Sequence, residues 1–176
     1  MRKLLIGLAA AATAVVIATP SIAQAASRTI PDTVGDIHYG MDIKTASVSN
    51  GKPLSITIKH RAISEGSWSG VYIDVTPGHG NAPDFFVRGG IGGDYQLSWM
   101  NGWKIGGWLG CPGPGDYHQY VSYKYDTTRF TLARSCLDGA SFRATKVRVI
   151  AVAGRSGHTT DWAPGYHRWS EWIAYQ

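Results

Sequence analysis

Hydrophobic and polar residues alternate with a period of two along most of this chain. From Leu54 to Lys59 the sequence reads apolar, polar, apolar without a break, and similar alternations run through 71–76, 95–99 and 146–149. This period places successive side chains on opposite faces of a strand, so each segment is predicted to be a strand with one buried face. We expect 53–61, 71–76 and 146–153 to be core strands. Their predicted buried residues are Leu54, Ile56, Ile58, Val71, Ile73, Val147 and Val149.

The other segments indicate the same fold class. Asn101-Gly102 separates two apolar segments and predicts a two-residue hairpin turn. Helical spacing is absent after residue 25, apart from a short helical turn predicted at 133–137, and 154–166 is predicted to be a long polar loop. Short strands separated by turns predict an all-β fold: an antiparallel, jelly-roll-like β-sandwich forming one domain over residues 26–176.

The first 25 residues have the pattern of a secretory signal. Arg2 and Lys3 precede an apolar run from Leu4 to Ile17, and Ala23-Gln24-Ala25 supplies the small residues that a signal peptidase reads. The run is shorter than the ~20 residues of a membrane span, so a cleaved signal helix over 1–25 is predicted, with a retained anchor helix as the alternative. Cleavage predicts a secreted, extracellular protein with no membrane span.

The charge and cysteine content narrow the choice of partners and compartment. Removal of Arg2 and Lys3 lowers the formal charge from +5 to +3, and the remaining basic residues are scattered, which argues against a nucleic-acid partner. Cys111 and Cys136 are the two cysteines of the chain. An even number of cysteines in an exported protein predicts a disulfide bond between them.

A series of short motifs follows a fixed order along the chain. The motifs are Asp36, Asp42-Ile43, Leu54 to Arg61, Val71 to Asp74, Pro83 to Phe86, Trp103, Cys111-Pro112, Asp126, Arg129-Phe130, Arg134, Cys136-Leu137, Val147 to Val149, and Asp161 to Pro164. In these motifs the chain resembles uncharacterised secreted β-sandwich proteins of actinobacteria, and more distantly DOMON-like and carbohydrate-binding sandwiches. The resemblance implies the fold and the compartment, and it implies no functional residue.

No catalytic motif stands out in the sequence. Many serine hydrolases carry their nucleophile in a Gly-x-Ser-x-Gly motif, the nucleophile elbow. The nearest match is Gly66-Ser67-Trp68-Ser69-Gly70, which has tryptophan in place of the nucleophilic serine, so the motif is absent. Carboxylate pairs, as a glycosidase would need, could be formed among Asp74, Asp84, Asp116 and Asp126, but spacing alone does not pair them. We therefore assign no catalytic residue, no metal ligand and no cofactor.

Three acidic residues near the predicted mature N-terminus are candidates for calcium binding. Asp32, Asp36 and Asp42 lie within eleven residues of each other. Calcium takes carboxylate and carbonyl oxygens from loops, although this spacing does not match an EF-hand. Turn and capping hydrogen bonds are the alternative role for these side chains, and both remain open.

Aromatic residues are dense between residues 99 and 125, and they carry the functional prediction. Aromatic rings stack on the C–H faces of sugars, although most such rings are expected to fill the sandwich core. Trp99 is two residues after Leu97, on the same face of the predicted strand, and is predicted to be buried. Trp108 follows glycines and is predicted to be exposed. The predicted ligand-binding residues are Trp103, Trp108, Tyr117 and Tyr120.

These features favour a secreted, non-catalytic extracellular or cell-wall protein that binds a glycan. Two alternatives remain open at this stage. One is a secreted hydrolase with a carboxylate pair, and the other is a protein-interaction or structural module.

Overall fold

The structure, a computed structural model, describes residues 26–38, 41–78, 80–111, 116–138 and 143–176. The predicted signal segment 1–25 lies outside these ranges, within which no helix is long and apolar enough to span a membrane. The described residues form twelve strands and one 3-10 turn, Arg134–Cys136. The strands are β1 (Ala26–Pro31), β2 (Ile43–Asn50), β3 (Leu54–His60), β4 (Ser67–Asp74), β5 (Phe85–Gly90), β6 (Tyr95–Asn101), β7 (Lys104–Trp108), β8 (Tyr117–Ser122), β9 (Thr127–Leu132), β10 (Lys146–Arg155), β11 (Asp161–Ala163) and β12 (Ile173–Ala174).

Two antiparallel sheets form a β-sandwich, as the sequence predicts. The five-stranded sheet has the order β1-β2-β3-β9-β8. The seven-stranded sheet has the order β11-β10-β4-β5-β6-β7, and β12 pairs with the beginning of β10. Each sheet therefore has one face toward its partner and one face away from it.

The main core lies between the sheets and follows the predicted alternation. All seven predicted core residues, from Leu54 on β3 to Val149 on β10, are fully buried. The hairpin at Asn101-Gly102 connects β6 to β7, and the 3-10 turn falls within the predicted 133–137. These predictions are confirmed because each depends on a local pattern that the tertiary structure does not override.

The prediction of a long loop over 154–166 is wrong. Strand β10 continues to Arg155, and β11 (Asp161–Ala163) pairs with β10 so that Trp162 lies opposite Val152. A strand of three residues is too short for a period of two to be recognised, and its pairing with β10 is a tertiary contact.

The Cys111–Cys136 disulfide is present, with the two Cα atoms 5.0 Å apart. Cys111 follows β7 of the seven-stranded sheet, and Cys136 lies in the 3-10 turn that follows β9 of the five-stranded sheet. The bond therefore links chain segments that leave the two different sheets.

A buried polar network also joins the sheets. His60 Nε2 on β3 and Thr128 Oγ1 on β9 are 2.9 Å apart, and the Ser69 hydroxyl on β4 donates to the same oxygen at 2.9 Å. All three residues are fully buried, and burial lowers the pKa of the His60 imidazole to about 4. Thr128 Oγ1 therefore satisfies Nε2 of the neutral His60 ring inside the core.

Candidate functional site

The outer face of the seven-stranded sheet is the candidate site, and is referred to below as the aromatic face. Residues directly opposite each other on paired strands lie on the same side of a sheet. Pairing aligns one row of outward residues across five strands: Ile150, Tyr72, Phe86, Ser98 and Trp108. The next row comprises Trp162, Val152, Gly70, Arg88 and Gln96.

A second apolar cluster lies on this face. Phe86, Ile150 and Val152 are buried, so the apolar residues 150–152 of β10 are covered on both faces of the strand. The C-terminal segment crosses the sheet here, and the Trp169 indole donates a hydrogen bond to the Asn81 carbonyl at 3.1 Å. The partly buried residues that pack on the cluster are Trp68, Tyr72, Met100, Trp103, Trp162 and Trp169.

The rings of the aromatic face form two stacks. Tyr72 is stacked between Phe86 and Trp162, with ring centroids 4.1 and 5.6 Å apart. His167 is stacked between Trp103 and Tyr166, at 3.7 and 4.0 Å. Tyr166 is 68% exposed, so the second stack reaches solvent. Stacked rings hold each other in fixed orientations, which makes their exposed faces ordered contact surfaces.

A groove of about 290 Å³ opens beside these stacks. It is lined by Trp68, Arg88, Gly89, Gly90, Asp94 and Gln96. Gly70 lies in the row that contains Arg88 and Gln96, and a Cβ there would come within 2.9 Å of the Phe86 ring. Only glycine therefore allows the Phe86 ring to lie against β4 at this point.

The polar groups of the groove are not engaged in structural contacts. In the described part of the chain neither Arg88 nor Asp94 forms an ion pair or a side-chain hydrogen bond. Gln96 Nε2 is buried without a hydrogen-bond partner among the same residues. Binding sites for small polar ligands combine an apolar wall with a few such uncommitted groups.

The four predicted ligand-binding residues do not form one patch. Trp103 is half-buried in a stack of the aromatic face, and Trp108 lies on the same face, 69% exposed as predicted, at the end of β7. Tyr117 contacts the Tyr95 ring edge-on, with centroids 5.7 Å apart. Tyr120 is on the five-stranded sheet, 47% exposed, with the Arg129 guanidinium 4.9 Å from its ring.

The prediction that Trp99 is buried is wrong, since its side chain is 44% exposed. Its indole lies against the backbone of β7, where a Cβ on Gly106 would be 2.2 Å from the ring. Trp99 does share the side of β6 that carries Leu97, but at this end of the strand the ring covers the adjacent strand instead of entering the core.

Sequence reasoning missed the groove residues Trp68, Arg88, Asp94 and Gln96. Trp68 occupies the position that disqualified the hydrolase elbow, and a tryptophan within a glycine- and serine-rich strand was the available signal. The other three reach the groove through the pairing of β4, β5 and β6, which the sequence alone does not reveal.

One candidate carboxylate pair has a structural role. Asp74 is buried and forms an ion pair with Arg148 at 2.6 Å. Asp84 accepts a hydrogen bond from the Val75 amide at 2.8 Å. Both carboxylates therefore hold strand ends in place on the sheet.

The acidic residues near the N-terminus assemble with a different partner from the one expected. Asp32 and Asp36 have carboxylate oxygens within 4.8 Å of each other and of Asp161 on β11. The Asp42 carboxylate instead accepts hydrogen bonds from the Gly35 amide at 2.9 and 3.0 Å. Burial and the nearby Asp161 carboxylate raise the pKa of Asp32 to about 7. Burial raises the pKa of Asp161 to about 6. This set of oxygens is of the kind that calcium prefers.

The acidic cluster should make stability depend on pH. The pKa of Asp32 is higher in the folded state than its ordinary value of 3.8, so its contribution favours folding at acidic pH and is lost as the pH rises toward 7. In a chelating buffer, Asp32→Asn should therefore raise Tm by a few degrees at pH 8 and leave it unchanged at pH 4.

The lowered pKa of His60 makes its contribution to stability fall as the pH falls, which is opposite to the contribution of Asp32. Both proteins contain His60, so comparing the variant with the unmodified protein at each pH cancels this contribution. An equal Tm at pH 8 would contradict the raised pKa. A rise in the unmodified protein's Tm on adding calcium, absent in Asp32→Asn, would identify the cluster as a cation site.

No protein-family model and no curated protein sequence matches this chain.

Proposed function

We propose that this protein is a secreted, non-catalytic module that binds a glycan on its aromatic face, with the groove beside Trp68 as the centre of the site. The groove is the observation that carries the proposal. It places the Trp68 indole beside Arg88, Asp94 and Gln96, and the two charged side chains have no ion-pair partner in the described ranges.

The chemistry of these groups suits a saccharide. The C–H face of a sugar ring stacks on an indole, while a guanidinium donates to, and a carboxylate accepts from, neighbouring hydroxyl groups. Trp108 pairs with Ser98, two residues from Gln96 on the same face, so a longer glycan could extend from the groove onto its exposed ring.

Two further observations support the non-catalytic and secreted parts of the proposal. Asp74 and Asp84 are engaged in structural contacts, which gives one candidate pair of catalytic carboxylates a role other than catalysis. Disulfide bonds persist in oxidising compartments, so the Cys111–Cys136 bond is compatible with export, as is the signal-like segment 1–25.

A protein partner is the second candidate. Tyr166 and Trp108 are both more than two-thirds exposed on the aromatic face, and exposed aromatic surface of this kind is common at protein interfaces. The groove favours the glycan, because a concave site with an aromatic wall and a few hydrogen-bonding groups suits a small polar ligand.

The proposal predicts that Arg88→Gln weakens binding about tenfold, and that Trp108→Ala weakens it about fivefold, with no change in the unfolding transition. The first change removes a charge-assisted hydrogen bond and the second removes about 1 kcal/mol of stacking. A glycan array that includes bacterial cell-wall polysaccharides identifies the ligand, and titration calorimetry then measures the affinity of each variant.

Tyr123→Ala is the matched control, because Tyr123 is an exposed aromatic residue in the turn between β8 and β9 of the other sheet. It should bind as the unmodified protein does. Absence of glycan binding by the unmodified protein would reject the proposal in favour of a protein partner.

A further inference from the structure

The outer face of the five-stranded sheet has a different composition from the aromatic face. Strand pairing places its outward positions in three rows that cross all five strands. Ten of these positions are serine or threonine: Ser27, Thr29, Thr45, Ser47, Ser49, Ser55, Thr57, Ser122, Thr127 and Thr131. None of the ten is buried, so the sheet presents an array of hydroxyl groups, referred to below as the hydroxyl face.

The charges on the hydroxyl face are all of one sign. The remaining outward positions are Pro31, Lys59, His118, Tyr120 and Arg129, and no carboxylate is among them. Arg129 is exposed above the Tyr120 ring, and within the described ranges it forms no ion pair. Lys59 donates a hydrogen bond to the Tyr125 carbonyl and forms a long ion pair, 3.9 Å, with Asp126, both in the turn between β8 and β9.

Two adjoining grooves continue this surface beyond the strands. One, of about 480 Å³, is lined by Ser55, His118, Tyr120, Arg129 and Thr131, with Pro53, Ala133 and a single carboxylate, Asp116, at its edge. The second, of about 420 Å³, shares Pro53 and Ala133 with it and adds Lys52, Arg134, Ser135, Asp138 and Arg143. Three basic residues therefore line the second groove against one acidic residue, Asp138, which is already paired with Arg143 at 2.8 Å.

The dimensions and chemistry of this surface indicate its partner. Five strands at ~4.8 Å spacing give a surface about 19 Å wide, which suits an extended chain better than a compact ligand. Serine and threonine hydroxyls donate and accept hydrogen bonds, as the hydroxyl groups of sugars do. Arg129 and Lys52 form no ion pair among the described residues, so negative charges on the partner would complement them.

From these features we infer that the hydroxyl face is a second binding surface, which takes an anionic polysaccharide. The hydroxyl rows hydrogen-bond its sugar units, while Arg129 and Lys52 contact its sulfate, phosphate or carboxylate groups. This surface is on the opposite side of the sandwich from the aromatic face. It does not depend on the function proposed for that face.

The test uses dextran sulfate and uncharged dextran of the same length, in titrations at low and high salt. The unmodified protein should bind dextran sulfate, should bind dextran at least tenfold more weakly, and should lose affinity as salt screens the charges. Lys52→Gln/Arg129→Gln should reduce the affinity for dextran sulfate five- to tenfold. Arg134 is left unchanged, because its guanidinium donates to Asn50 and stacks on Tyr175.

Lys104→Gln/Arg155→Gln is the charge-matched control, since it removes two exposed cations from the seven-stranded sheet. It should change the affinity less than twofold. Thr57→Val keeps the shape of the side chain but removes a hydroxyl from the centre of the face, and should weaken binding about threefold.

Equal losses in the two charge variants would overturn the inference, because binding would then depend on net charge alone. Equal binding of dextran and dextran sulfate, or equally tight binding of a DNA duplex, would also overturn it. Lys52, Thr57 and Arg129 lie on or beside the five-stranded sheet, opposite the groove of Trp68, so a failure here leaves the test of the aromatic face unaffected.

Discussion

Replacement of Ile56 with alanine is expected to lower the free energy of unfolding by about 2–5 kcal/mol. Ile56 is fully buried on β3, the central strand of the five-stranded sheet, where it lies between Val48 of β2 and Phe130 of β9. Strands on both sides limit how far the surroundings can collapse into the space left by the side chain, so a cavity remains. Urea or guanidinium unfolding, followed by far-UV circular dichroism, measures the change.

Ser55→Ala provides the matched control for this measurement. Ser55 is the preceding residue on β3, but its side chain is on the hydroxyl face, so the change should be below about 0.5 kcal/mol. A loss of less than 0.5 kcal/mol for Ile56→Ala would show that Ile56 is not part of the packed core.

Removal of the disulfide is expected to have an effect of similar size. The bond closes a loop with a sequence separation of 25 residues, so Cys111→Ser/Cys136→Ser should lose roughly 3.5 kcal/mol, according to the chain-entropy relation. Denaturant unfolding of the double variant, beside the unmodified protein with and without reductant, measures the loss. The reduced protein should match the double variant.

Mass spectrometry without reductant provides an independent check. The protein purified without reductant should be two mass units lighter than its reduced form, because forming the bond removes two hydrogen atoms. Two free thiols in folded protein kept under oxidising conditions would falsify the assignment of the bond.

The strands and the main core could be predicted because their signal is local. A period of two fixes which residues of β3 face inward wherever the outward residues are polar, as Ser55 and Thr57 are. The disulfide could be predicted from the cysteine count, because two cysteines allow a single pairing.

The candidate site could not be predicted because it depends on which strands are neighbours. On β10 both faces are apolar at Ile150–Val152, and the pattern does not say that Tyr72 and Phe86 cover the outer side. Trp99 illustrates the same limit. It lies on the same face of β6 as Leu97, as predicted, but the alternation does not show where the opposing sheet ends.

The position of the tryptophans has a consequence for spectroscopy. None of the seven packs into the core between the sheets, and four of them, Trp68, Trp103, Trp162 and Trp169, pack against the cluster on the aromatic face. Intrinsic fluorescence is therefore dominated by groups outside the main core, and it reports the environment of the aromatic face and of the C-terminal segment that crosses it. Fluorescence can serve as a direct signal for ligand binding at that face, while far-UV circular dichroism follows the sandwich.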